Sequence, residues 1–314
     1  MATTVNSVLG PVSTADLGFT LMHEHVVTGS AGIWETYPEI LGGVEDLPAL
    51  AVAALEEARR GGVRTIVDLT TMDLGRNIRF LAQVARESGV TIIAATGAWR
   101  DIPRAFWERT PDEVAALFIR EIEVGIENTG IKAGIIKVAN DAEGVTPAGE
   151  IVLRAAARAA KATGTRIATH SYAPGRVGEQ QVAIFEDEGL DLSHVIIGHS
   201  NDTTDLDYLV GLARRGCYLG MDRFPGRIGP GWEERTETVR RLIEAGWADR
   251  IILAHDWQVV GGHASPDRQI TRRRNPDGYL FITRRVLPRL REAGIPEEVL
   301  TRIMVDNPRR FFEG

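Results

Sequence analysis

A metal ion needs nitrogen and oxygen donors that arrive from separate parts of a chain and meet at one point. Four of the seven histidines in this sequence lie at the ends of apolar, strand-like runs: His23 and His25 in Thr-Leu-Met-His-Glu-His, His170 in Arg-Ile-Ala-Thr-His, and His199 in Val-Ile-Ile-Gly-His. Lys137 sits in Gly-Ile-Ile-Lys-Val, and Asp256 ends Ile-Ile-Leu-Ala-His-Asp. On a strand, His23 and His25 point the same way while Glu24 points oppositely, so one strand can give two ligands to one ion. Taken singly, His170 or His199 reads better as a satisfied core histidine than as a ligand, and the His-x-His pair equally well as two unrelated histidines. Taken together with Asp256, they form a 4-His-1-Asp set suited to metal-assisted hydrolysis.

Lys137 adds a second kind of chemistry. An ammonium among Ile135, Ile136 and Val138 carries a large desolvation cost. It could be a buried ion pair or a snorkelling side chain. The alternative is that burial lowers its pKa and the neutral amine takes up carbon dioxide. The resulting carbamate offers two oxygens and one charge, which suits a pair of divalent ions ~3.5–4 Å apart. Only Lys132, Lys137 and Lys161 among 36 basic residues are lysines. A lysine inside an apolar run is therefore notable here.

The elements that must position these residues alternate along the chain. Short apolar runs at 19–23, 65–69, 91–95, 134–138, 166–170, 195–199, 217–221 and 251–255 read as eight strands. Helix signals fall between them. Asp46 and Pro48 open a helix that Gly61-Gly62 closes, and Thr110-Pro-Asp-Glu113 is a capping box for one ending near Gly130. Thr146-Pro147 starts another that runs to Gly164, and Ser193 and Pro296 mark later starts. Eight β/α units predict an α/β fold, a (β/α)8 barrel whose active site lies at the C-terminal ends of the strands. The longer connections 26–43, 223–232 and 257–278 lie on that side, and the last is expected to carry substrate specificity.

The bulk properties set the frame. The 314 residues, 44% hydrophobic and 25% charged, carry no linker-like stretch, so residues 1–314 are expected to form one domain. A net charge of −7 speaks against nucleic acid as a partner. No apolar run approaches the ~20 residues of a membrane span, and Met-Ala-Thr-Thr-Val-Asn-Ser lacks the basic start and apolar core of an export signal, so none is expected there. Cys217 is the single cysteine, so a reducing, cytoplasmic setting is expected.

The motifs carry a resemblance over essentially the whole chain. Gly-Phe-Thr-Leu-Met-His-Glu-His, Asp-Leu-Thr-Thr-Met-Asp-Leu-Gly-Arg-Asn, Ala-Gly-Ile-Ile-Lys-Val-Ala, Gly-Glu-Gln-Gln, Ile-Gly-His-Ser-Asn-Asp-Thr and Asn-Pro-Asp-Gly-Tyr stand where the bacterial phosphotriesterase family has its signatures. That family, which includes phosphotriesterase-like lactonases, belongs to the amidohydrolase superfamily. The resemblance implies a binuclear centre. His23, His25 and Asp256 would hold the more buried ion and His170 and His199 the more exposed one. N6-carboxylated Lys137 and a hydroxide would bridge them. Zinc is the foremost ion, with cobalt, manganese or iron also compatible.

The implied activity is hydrolysis of organophosphate triesters and also of lactones, small-molecule substrates both. The alternatives are a lactonase with incidental phosphotriesterase activity and a non-catalytic metal-binding barrel. Asp256 would orient the hydroxide and accept its proton. Where the phosphotriesterases pass that proton through a histidine, this chain has Arg223, in Gly-Met-Asp-Arg-Phe, with Asp202 as the second aspartate. Arginine has no acceptor, so the relay cannot run in that form. An arginine there resembles the lactonase branch, as does His255, whereas Trp99 and the segment Gly-Ser-Ala-Gly-Ile-Trp resemble the phosphotriesterases. Trp99, Arg223 and Trp257 are the candidate substrate-binding residues. The resemblance also implies a homodimer, for which Trp34, Tyr37, Phe106 and Trp107 offer apolar surface unless they cover the barrel mouth.

Overall fold

Eight parallel strands follow one another round the sheet in chain order: β1 (Thr20–Glu24), β2 (Thr65–Asp68), β3 (Thr91–Gly97), β4 (Ile135–Ala139), β5 (Arg166–His170), β6 (Val195–Ile197), β7 (Tyr218–Met221) and β8 (Ile251–Leu253). The computed structural model describes residues 3–41, 46–227, 229–261 and 273–314. Each strand pairs in parallel with the next, from Thr20 opposite Thr65 to Met221 opposite Leu253. The seam between β8 and β1 is closed just beyond the strands. Asp256 N–H donates to the His23 carbonyl at 3.0 Å, and His25 N–H donates to the Trp257 carbonyl at 2.8 Å. Val260–Gly261 then pairs in parallel with Val27–Thr28.

The connecting helices are α1 (Leu47–Arg60), α2 (Ile78–Ser88), α3 (Pro111–Glu123), α4 (Pro147–Thr163), α5 (Val177–Asp187), α6 (Leu206–Arg214), α7 (Trp232–Glu244) and α8 (Leu287–Glu292). The architecture is a (β/α)8 barrel. The caps account for the helix starts: Asp46 accepts from Ala49 N–H, Thr146 accepts from Gly149 N–H, and Thr110 with Glu113 forms a reciprocal box. Two expectations need correction. Helix α3 ends at Glu123, because Gly125 at φ 137° turns the chain where a Cβ would lie 2.7 Å from Gly130 Cα. Ser193 lies in a short 3-10 turn before β6, and the helix that follows β6 starts after Asp205.

Strand alternation divides the core in two. Ile66, Ile92, Ala94 and Ile136 face the helices, while Val67, Ile93, Ala95 and Ile135 face the barrel axis. The inner set, with Met22, Ile196 and Ile252, packs against Phe311 and Phe312 of the final helix, Asn307–Glu313. The floor of the barrel is thus filled by apolar side chains. Polar residues remain at the opposite end, where the strands finish.

Two strands are shorter than their apolar runs. β6 stops at Ile197 and β8 at Leu253, because His199 (φ 59°) and Asp256 (φ 52°) adopt left-handed conformations that break the ladder. Among the described residues no helix is long and apolar enough to cross a membrane. Much of the 257–278 connection, expected to carry specificity, lies outside the described residues, as does the end of the 26–43 connection.

Candidate metal centre

The strand ends bring His23, His25, Lys137, His170, His199 and Asp256 together. The β1–β2 register shifts between Leu21 and Glu24, so His23 lies within the irregularity and His25 beyond it, and both reach the same site. Glu24 faces the other way, fully buried. It accepts hydrogen bonds from the backbone N–H of His255 (2.9 Å) and Trp257 (3.0 Å), and lies 2.6 Å from His255 Nδ1. The outer nitrogen of His255 accepts from Ile282 N–H at 3.1 Å. His255 therefore ties β8 to the layer outside the barrel.

Asp256 is the meeting point. Its Oδ1 lies 3.1 Å from His25 Nε2 and 3.5 Å from His23 Nε2. His23 Nε2 is 3.3 Å from Lys137 Nζ, and His199 Nε2 is 2.8 Å from His170 Nδ1. Ligand atoms of His23, His199 and Asp256 all lie within 4.8 Å of one another, a spread one ion can bridge. Burial pushes the imidazoles toward the neutral form, His170 to about 4 and His199 well below its usual range. Burial alone would raise Asp256, but His23, the His25 hydrogen bond, His199 and Arg223 hold it well below the usual carboxylate range. Neutral imidazoles and an ionised carboxylate are the protonation states that a divalent ion binds.

Lys137 is 1% exposed, and its ammonium donates to the Thr169 carbonyl at 3.1 Å. Burial lowers its pKa to about 8 against the opposing pull of Asp222 and Asp256. Among the described residues no carboxylate lies within ion-pair distance of it, so a simple buried salt bridge does not explain its position. The imidazole and carboxylate donors here suit divalent ions.

Other residues hold these ligands in place. Asp222 Oδ2 is 2.7 Å from His23 Nδ1, and its Oδ1 is 2.9 Å from His199 Nδ1 and accepts His199 N–H at 2.8 Å. One fully buried carboxylate thus orients two rings and secures the left-handed backbone of His199. Asp222 ends the seventh apolar run, so the strand-end pattern that marks the ligands marks it too. Thr70 Oγ1 is 2.9 Å from His25 Nδ1, and Asp141 Oδ2 is 3.5 Å from His170 Nε2. Outer partners of this kind fix ring orientation and raise ligand basicity. Asp222→Asn is therefore expected to weaken divalent-ion binding by ~10–100-fold. Chelator competition measures this, and unchanged affinity would make the bridge dispensable.

The proposed pocket residues divide. Arg223 Nε donates to Asp256 Oδ2 at 3.1 Å and its Nη1 to Asp202 Oδ2 at 2.5 Å. Burial disfavours this guanidinium's charge, but Asp256 and Asp202 outweigh it and raise its pKa. Trp99 N–H donates to Asp73, and its ring meets His170 edge-on at 6.1 Å, beside the ligands. Trp257 instead packs, partly buried, against the helix-side core. Phe106 is also inward, edge-on to Phe118 and 7% exposed, so it does not supply association surface. Tyr37 and Trp107 are exposed, and the side chain of Trp34 lies outside the described set. Cys217 is fully buried, and burial pushes its thiol to about 12, which suits packing rather than nucleophilic attack.

Comparison with known proteins agrees with this geometry. A "Phosphotriesterase homology protein" of Mycobacterium tuberculosis is 43% identical over 98% of this chain and 97% of its own. The "Aryldialkylphosphatase" of Saccharolobus solfataricus is 37% identical, covering 96% of each chain. The solved structure of the phosphotriesterase from Mycobacterium tuberculosis superposes with a TM-score of 0.94 at 43% identity, covering 99% of this chain and 98% of that one. The phosphotriesterase family profile matches residues 3–312. A barrel whose strand ends gather four histidines, a lysine and an aspartate thus coincides with family likeness over nearly the full length: this chain belongs to the phosphotriesterase family and is a phosphotriesterase-like hydrolase.

Proposed function

We propose that this protein hydrolyses organophosphate triesters, and lactones as a second substrate class, at a pair of divalent ions held by His23, His25, Lys137, His170, His199 and Asp256. The convergence of these six side chains on one end of the barrel carries the reading. In it, Lys137 is carboxylated: the neutral amine adds carbon dioxide and releases a proton. Burial lowers the pKa of this lysine and so favours the neutral amine that reacts. When bound, the two ions would bring the pKa of water toward neutrality and polarise the P=O or C=O oxygen of the substrate. Asp256, oriented by His25 on one oxygen and Arg223 on the other, accepts the proton of the attacking water. Trp99 forms one wall of the substrate pocket beside His170. Zinc is the foremost ion for this donor set, with cobalt, manganese and iron as alternatives. Tyr37 and Trp107 remain available for a homodimer, which sedimentation would register as twice the chain mass.

A second reading, lactonase first and phosphotriesterase second, draws on Arg223. Its fork is engaged by two carboxylates, so it holds Asp256 in place and carries no proton away. The two readings separate by kcat/KM for paraoxon and for a set of lactones on metal-loaded protein. Paraoxon ahead supports the first, lactones ahead the second, and turnover of neither overturns both. Arg223→His is expected to shift the ratio of the two activities while both ions stay bound. Unchanged ratios would move attention to Trp99 and the 257–278 connection.

A further inference from the structure

Arg235, on the first turn of α7, is fully buried, and no step above uses it. Its Nη1 donates to Asp202 Oδ1 at 2.7 Å and to the Asn201 carbonyl at 2.6 Å, and its Nε donates to the Pro230 carbonyl at 2.8 Å. The other oxygen of Asp202 receives Arg223, whose Nε reaches Asp256. Four charges of alternating sign therefore run from the barrel exterior to the site: Arg235, Asp202, Arg223, Asp256. Asn201 reinforces the same contact, accepting Arg223 N–H at 3.1 Å and donating to the Arg223 carbonyl at 3.2 Å. The backbone after β7 passes directly over Arg235. Gly226 has φ +96°, and a Cβ there would lie 2.6 Å from Arg235 Nε.

The geometry points to Arg235 as a positioning residue for the hydrolytic reaction: by holding one oxygen of Asp202, it sets where Arg223 meets Asp256. This inference rests on the function proposed above for Asp256. The planar fork matters, because one guanidinium satisfies a carboxylate and two carbonyls lying in different directions. A lysine at this position keeps the charge but cannot span all three. Asp202, each of whose oxygens is engaged by a guanidinium, acts in this arrangement as a fixed strut between them.

The test is a double-mutant cycle on the metal-loaded enzyme. Arg235→Lys and Arg235→Gln are each made in the native background and in Arg223→Ala, with kcat and KM measured on paraoxon and a lactone. Arg235→Lys is expected to lower kcat/KM by ~10-fold or more in the native background, mainly through kcat, with metal content unchanged. In Arg223→Ala the same change should cost less than ~2-fold, because residues in one network are non-additive. An equal loss in both backgrounds, or no loss in either, overturns the proposal.

A readout free of turnover keeps the inference separate from the proposed function. In protein with nitrogen-15 arginine, the Arg223 Nε–H resonance, identified by its absence in Arg223→Ala, should shift in Arg235→Lys. An unmoved resonance overturns the coupling, whichever substrates are hydrolysed. Turnover of neither substrate by the native enzyme would refute the proposed function and leave this measurement decisive. If neither single variant folds, the pair Asp202→Asn with Arg235→Gln removes both charges. Native kcat/KM in that pair would overturn the proposal, and a loss that vanishes in Arg223→Ala would support it.

Discussion

Lys137→Ala is expected to retain at most one of two divalent ions and to lose turnover by more than ~10²-fold, beyond the usual cost of disturbing an outer partner. Alanine removes the amine on which the proposed carbamate forms, and with it the oxygens that would bridge the ions. The cavity left in the barrel is lined by His23 and the Thr169 carbonyl. A short carboxylate such as acetate or propionate supplies two oxygens and one negative charge, and should restore part of both metal content and activity. Acid release of carbon dioxide from native protein, one equivalent per chain, checks the modification itself. A Lys137→Ala protein that keeps both ions and near-native turnover would remove the bridge from the mechanism. Fully metal-loaded native protein that releases no carbon dioxide would remove the carbamate.

Asp256→Asn should lower turnover by ~10²-fold or more, the scale of a positioned acid–base group. Asparagine is the more informative substitution for two reasons. It keeps an oxygen that can still face His25 and the ions, while the amide can no longer accept a proton. It also tolerates the left-handed backbone at this position (φ 52°) better than alanine does. Asp256→Ala would mix loss of the proposed base with loss of a proposed ligand and added backbone strain. The expected signature of Asp256→Asn is therefore near-normal metal content with a collapsed kcat. Near-normal turnover would show that proton transfer does not depend on this carboxylate, and equal loss of metal and turnover would show a ligand role alone.

The sequence by itself determined the order of strands and helices and which donor side chains lie at the strand ends. Both depend on local physics. Short apolar runs and caps at Asp46, Thr110 and Thr146 specify elements within a few residues. In a parallel barrel, each strand's last residue must arrive at the same end. That rule brings His23, Lys137, His170 and Asp256 together without any knowledge of their distances. It also marks Asp222, although it does not say what Asp222 does.

Only the tertiary structure decided the contacts that depend on closure. Asp222 bridges rings from strands far apart in the chain, meeting His23 across a separation of 199 residues. Neither partner carries a local signal for that contact. The left-handed backbones of His199 and Asp256 are likewise invisible in apolar runs that read as continuous strand. Phe106 reads as exposed from its connection but packs against Phe118, since burial depends on what the neighbouring helix presents. Arg235 looks like one more charge on a charged helix, Trp-Glu-Glu-Arg-Thr-Glu, and periodicity assigns it no interior role. It is buried because the chain after β7 folds over it and Asp202 arrives from the end of β6. Local pattern selects which side chains enter the barrel end, and long-range closure decides which of them touch.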